Sequence, residues 1–182
     1  RDIFLPDCFG FSQALPTLAA HCGIVGFTTQ KLRRGAEMRS AFGVPFPFGL
    51  WAGPDGSLLP AVLDPGEYGA QTRADLSRDP EWIERFARLA ADGRPLRLMT
   101  LQGLGDKGGA IAPATVAWLE RATAGAGGID VVLADSEQLF RELAPTERSR
   151  LPVYDGELLL RLHATGCYSS RAELKRRHRQ AE

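Results

Sequence analysis

The chain has 182 residues, 44% hydrophobic and 24% charged, which suits one globular unit with a buried core and excludes a disordered or fibrous segment. Its 22 basic and 22 acidic residues cancel, so there is no electrostatic footprint for a phosphate backbone and nucleic acid is not an expected partner. No apolar run reaches the roughly 20 residues of a membrane span, and Cys8, Cys22 and Cys167 lack the spacing of a disulfide framework or zinc knuckle, which favours a reduced, cytoplasmic setting.

Residues 1–5 read as a strand already in progress, with no start methionine before it, so the chain is expected to be a fragment truncated at both ends. A short helix follows over 12–21, on the pattern of Leu15, Leu18 and Ala19, with Ser12 as N-cap and Gly23 at its end. Residues 24–29 form a β-rich strand, and the Gly/Pro-rich stretch 35–47 a loop long enough to be functional. Residues 48–52 and 58–63 flank the turn sequence Pro54-Asp55-Gly56-Ser57 and predict a β-hairpin.

Asp79 caps the next helix, Pro80 takes its first position, and Trp82, Ile83, Phe86, Leu89 and Ala90 supply an apolar face that Gly93 ends. Residues 96–101 predict a strand, 102–112 a glycine-rich loop, and 113–123 a helix with Val116, Leu119 and Ala122 inward. Residues 129–134 predict another buried strand, Asp135 with Gln138 a capping-box start for a helix through Leu143, and 157–162 an apolar strand. A charged helix begins near Ser170.

This alternation predicts an α/β fold: a largely parallel sheet, or an incomplete (β/α) barrel, with helices outside. Chemistry in such folds lies in the loops after the carboxyl ends of the strands. That rule selects Asp7, Gln30 with Lys31, and Asp106. Two carboxylates and a cation on one face suit glycoside hydrolysis, where one carboxyl acts as acid/base and the other as nucleophile or base.

The segment Leu5-Pro6-Asp7-Cys8-Phe9-Gly10-Phe11-Ser12, followed by Leu15-Pro16, Cys22-Gly23-Ile24 and Thr29-Gln30-Lys31-Leu32, resembles the nucleophile segment of the α-mannosidases of glycoside hydrolase family 38. Three further blocks keep the family's order: 50–57 with Pro65-Gly66-Glu67-Tyr68, then Gly103-Leu104-Gly105-Asp106-Lys107-Gly108-Gly109, then Asp155-Gly156-Glu157-Leu158 running into 165–171. The resemblance covers essentially the whole chain. It implies residues 1–168 as part of an α/β catalytic domain and 169–182 as the start of a helical region leading toward a bundle.

What the resemblance implies for function is a retaining exo-α-mannosidase acting on mannose-containing oligosaccharides through a covalent mannosyl-enzyme. Asp7 matches the nucleophile that also binds zinc, and Asp106 the general acid/base. Phe9 and Lys31 match residues at the sugar site, and Tyr68 is a further candidate there. Each has a plainer alternative: a helix cap for Asp7, a turn aspartate for Asp106, core for Phe9, a strand end for Lys31. Trp51 reads as core more readily than as a sugar platform, and His21 and His163 as helix-end or packed residues.

The family's zinc site also takes a His-x-Asp pair and a His-Asp segment that this chain does not contain. Asp7 alone falls short of the three protein ligands of a catalytic zinc, so the isolated fragment is expected to bind zinc poorly and to be inactive. Cys8 and Phe11 depart from the family's wording and add apolar surface near the nucleophile. A non-catalytic carbohydrate-binding remnant and a metal-dependent deacetylase-like barrel are the competing readings. The oligomeric state stays open.

Overall fold

A computed structural model describes residues 1–33, 44–67, 69–105, 108–160 and 171–182. In chain order these form β1 (Ile3–Phe4), β2 (Gly10–Phe11), α1 (Ala14–His21), β3 (Phe27–Thr28), β4 (Phe48–Ala52) and β5 (Leu58–Val62). After them come α2 (Pro80–Ala91), α3 (Pro113–Thr123), α4 (Ser136–Arg141), α5 (Pro145–Arg148), β6 (Val153–Asp155), β7 (Leu158–Leu159) and α6 (Ala172–Ala181). Short 3-10 turns lie at Lys31–Arg33 and Leu76–Arg78.

Five strands make one open sheet in the order β1-β3-β5-β4-β6. The pairs β1/β3, β3/β5 and β4/β6 are parallel, and only the hairpin pair β4/β5 is antiparallel. The sheet is therefore largely parallel, as the sequence predicts, and among the described residues it does not close into a barrel. β2 and β7 form a separate antiparallel ribbon, Gly10 opposite Leu159.

Period-two side-chain alternation explains why β4 is buried along its whole length. Trp51 faces one core, with Phe27, Leu59, Ala61 and Leu158, while Phe48 and Leu50 face a second, with Val62, Phe140 and Leu151. Both faces of the sheet are covered, which is what a parallel sheet requires. Gly26 is needed in this packing because a Cβ there would lie 2.0 Å from the Phe140 ring.

Helix α1 starts one residue later than expected, with Gln13 at the N-cap position, yet Ser12 Oγ still accepts from the Ala14 N–H at 3.3 Å. Pro16 fits because it sits in the first turn, where its missing N–H would have no intrahelical partner. Gly23, at φ +66°, closes the helix: its N–H reaches Ala20 and that of Ile24 reaches Ala19, a Schellman ending. Helix α2 has the expected cap, with the Asp79 carboxylate accepting from the N–H groups of Glu81 and Trp82 and Pro80 at its first position, but its apolar face is only partly covered: Trp82, Phe86 and Leu89 are half-buried, while Ile83 and Ala90 are exposed.

The hairpin turn is fastened to α1. Asp55 accepts from Thr17 Oγ1 at 2.6 Å and from the Ser57 N–H and Oγ at 3.0 and 2.9 Å, and these bonds lower its pKa to about 2, the Thr17 bond contributing most. A depressed carboxyl pKa stabilises the fold above the unfolded value near 3.8 and loses that contribution as pH falls through about 2. Asp55→Asn is accordingly expected to lower the urea midpoint at pH 7, with the difference from the parent shrinking as pH drops below 4 and vanishing toward 2. A pH-independent difference would place the effect of Asp55 elsewhere.

Two expected strands are absent. Residues 96–101 and 129–134 pair with no strand among the described residues. Instead they line a cavity of about 580 Å³ together with Phe4 of edge strand β1 and Trp82 and Phe86 of α2. Apolar patterning identified both segments, but a strand exists only where a neighbour supplies a hydrogen-bonding ladder, and here the cavity separates them from the free edge of β1. Leu96, Val132 and Leu133 stay 57%, 71% and 62% exposed as a result.

Other departures are smaller. In α3 the inward residues are Thr115, Leu119 and Ala122, while Val116 turns outward at the flank of that face. At α4 Asp135 accepts from the Gln138 N–H, but the Gln138 side chain turns to donate to Glu142 instead of accepting from the Asp135 N–H, so only half of the capping box forms. Strand β6 arises where the sequence suggests only a connection, and the expected strand over 157–162 is described only as the two-residue β7. Helix α6 buries none of its residues, in keeping with its charge-rich sequence. The loop expected at 35–47 lies mostly outside the described residues, as do His163 and Cys167.

Candidate active site

Three parallel neighbours, β1, β3 and β5, end along one edge of the sheet, and the segments that leave them meet there. Leu5 donates its N–H to the Thr28 carbonyl at 2.9 Å and accepts from Thr29 Oγ1 at 2.8 Å, so it continues the ladder one residue past β1. Pro6 has no N–H to extend the strand, and Asp7 follows in the turn. Gly10, at φ +127°, carries the chain back into β2.

Lys31 opens the 3-10 turn after β3. Its side chain is only 7% exposed, and its Nζ donates to Asp7 Oδ1 at 2.6 Å, while the Asp7 side chain is 56% exposed. The same ammonium stands 5.8 Å from the centre of the Phe9 ring. Phe9 is half-buried and packs on the core around Trp51, so it joins the core to the site. The structure thus brings Asp7, Phe9 and Lys31 together, as the sequence suggests. Asp7 does not cap α1, which has Gln13 at that position.

The next contact was not expected from the sequence. Gln30 is fully buried, and its Nε2 donates to Glu67 Oε2 at 3.0 Å, in the segment after β5. The carboxylate fixes which end of the amide faces it, because only the NH2 group can donate. Gln30 Oε1 and Thr28 Oγ1 are buried with no hydrogen-bond partner among the described residues. A buried polar atom costs about 1–3 kcal/mol unless a water, an ion or a ligand satisfies it.

The segment 101–105 then runs beside the one that carries Glu67. Leu101 donates its N–H to Pro65, Gly103 donates its own to Ala70, and the Gln102 amide oxygen accepts from both the N–H and the hydroxyl of Thr72. A Cβ on Gly69 would lie 3.3 Å from the Gly105 nitrogen. Asp106 and Tyr68 themselves lie outside the described residues.

Trp51 is wholly buried and is core, not a sugar platform. His21 ends α1, exposed, with its Nε2 3.9 Å from Asp55 Oδ2. For the expected zinc, the test is the donor set. Among the described residues no three His, Cys, Asp or Glu side chains converge, and Asp7 directs one oxygen at Lys31. These residues do not make a zinc site by themselves. No helix among the described residues is long and apolar enough to cross a membrane.

Comparison with known proteins gives a consistent picture. Residues 1–157 match the sequence model of the glycosyl hydrolases family 38 N-terminal domain. Alpha-mannosidase 2C1 of Homo sapiens is 33% identical over 182 residues, covering 100% of this chain and 16% of its own length. Alpha-mannosidase G of Dictyostelium discoideum is 34% identical over 185 residues, again with 100% of this chain and 16% of the relative covered. The chain thus spans about a sixth of the length of these curated relatives. A crystal structure of an alpha-mannosidase from Enterococcus faecalis superposes with a TM-score of 0.54 at 15% identity, covering 86% of this chain and 17% of that one, a likeness of fold.

Proposed function

The chain belongs to glycoside hydrolase family 38, as part of its N-terminal domain, and from that premise we propose that the full-length protein is a retaining exo-α-mannosidase. Its substrates in this reading are the terminal α-mannosides of oligosaccharides. One observation carries the reading to specific residues: Asp7 stands exposed at the carboxyl end of a parallel strand, held by the buried Lys31 at 2.6 Å and flanked by Phe9.

In the proposed reaction Asp7 attacks the anomeric carbon as the glycosidic bond breaks, and Asp106 gives its proton to the departing oxygen. The mannosyl-aspartate ester is then hydrolysed by water, whose proton returns to Asp106. Lys31 orients the Asp7 carboxylate and leaves its second oxygen available. Phe9 offers an apolar wall to the sugar. Tyr68 is proposed as a further contact. Retention requires the two carboxyl groups to stand about 5–5.5 Å apart.

Zinc assistance belongs to the same proposal, with Asp7 as the one donor from this chain and the others from elsewhere in the protein. A cytosolic compartment is proposed with the function, because Cys8, Cys22 and Cys167 lack the spacing of a disulfide framework.

The test is the anomeric configuration of the first-formed product, followed by proton NMR as full-length protein cleaves an aryl α-mannoside. The α-anomer is expected first. First release of the β-anomer would overturn the retaining mechanism, and no hydrolysis of any α-mannoside would overturn the activity.

A further inference from the structure

We propose that Glu67, held in place by Gln30, is a specificity-determining carboxylate of the same site, accepting hydroxyl hydrogens of the bound mannoside on the side away from Asp7; this rests on the mannosidase reading above.

Gln30 and Lys31 are consecutive in the chain and face opposite neighbours. Lys31 reaches Asp7 in the segment after β1, and Gln30 reaches Glu67 in the segment after β5. Because β1, β3 and β5 are adjacent and parallel, these two contacts set Asp7 and Glu67 on either side of the β3 end. Two interstrand spacings amount to roughly 10 Å. A single hexose bridges such a span with its anomeric carbon at one carboxylate and a hydroxyl hydrogen-bonded at the other.

The Gln30–Glu67 bond does two things at once: it satisfies the amide of a fully buried side chain, and it fixes the direction of a carboxylate on an exposed residue. A fixed direction is what a binding group needs. Gln30 also keeps its Oε1 buried with no partner among the described residues. Gln30 is the positioning residue and Glu67 the group that touches substrate.

The experiment uses full-length enzyme, an aryl α-mannoside and its four monodeoxy analogues. Glu67→Gln is expected to raise KM between about 10- and 100-fold, the range for a hydrogen bond to a charged group, with kcat changed less. One deoxy analogue should show the same loss with the parent enzyme and no further loss with Glu67→Gln. Gln30→Leu should raise KM in the parent background and have little effect once Glu67 is Gln, whereas a merely structural role would lower the melting temperature alike in both. Unchanged KM in Glu67→Gln, or losses that add for every analogue, would overturn the proposal while leaving the mannosidase reading intact. Absence of any α-mannosidase activity in the parent would overturn both.

Discussion

Full-length protein carrying Asp7→Asn is expected to lose at least about 10⁴-fold in kcat/KM toward α-mannosides, the scale of loss when a covalent nucleophile is removed. A carboxamide oxygen cannot form the glycosyl ester that the retaining mechanism requires. The substitution preserves size, and an Asn carbonyl still accepts from the Lys31 ammonium that stands 2.6 Å from the carboxylate in the parent. Since the Asp7 side chain is 56% exposed, the change forces no new polar group into the core. The melting temperature and circular dichroism should therefore stay near those of the parent, which separates lost chemistry from lost fold. Steady-state rates within tenfold of the parent would remove Asp7 from the reaction.

Asp7 was legible in the sequence for a physical reason. A strand that ends on a proline, followed by a polar residue and a glycine-rich return, places that residue at the carboxyl edge of a parallel sheet wherever the sheet's partners lie. The hairpin and α2 were legible for similar reasons, because turn and cap chemistry are local: Asp55 and Asp79 each accept from backbone N–H groups within three residues. Residues 96–101 and 129–134 failed as strands because pairing is not local. Their apolar residues announced burial, and what they line is the cavity beside β1.

The half of the site beyond Lys31 was harder to read. Gln30 and Glu67 are separated by 37 positions, and a glutamate in a Pro-Gly-Glu-Tyr turn carries no mark that a buried amide will hold it. The signal that could have found the pair is Gln30 itself: a long polar side chain within Phe27-Thr28-Thr29-Gln30, at the end of a strand buried on both faces, must find a partner or a function. Likewise Lys31 could be a solvated strand end on sequence grounds, and only its 7% exposure shows that it is not.

Trp51→Ala is expected to destabilise the domain by about 3–5 kcal/mol, the range for removing a large aromatic from a core. Trp51 is fully buried on β4 opposite Leu59, its ring 5.5 Å from that of Phe27 and 6.5 Å from that of Phe11. Its Nε1 donates to the Gly156 carbonyl at 2.8 Å, in the turn between β6 and β7. One side chain thus ties the sheet to the β2/β7 ribbon, and β2 directly follows Phe9. Trp51→Phe keeps most ring packing but leaves that carbonyl without its donor, so its cost should be smaller, about 1–3 kcal/mol. The first transition of urea unfolding, followed by circular dichroism, gives both values. Because the ribbon backs the segment that carries Asp7, Trp51→Ala should also lower kcat/KM below the unfolding temperature, and Trp51→Phe much less. Equal costs for the two substitutions would mean that the bond to Gly156, and not the packing of the ring, holds the ribbon against the sheet.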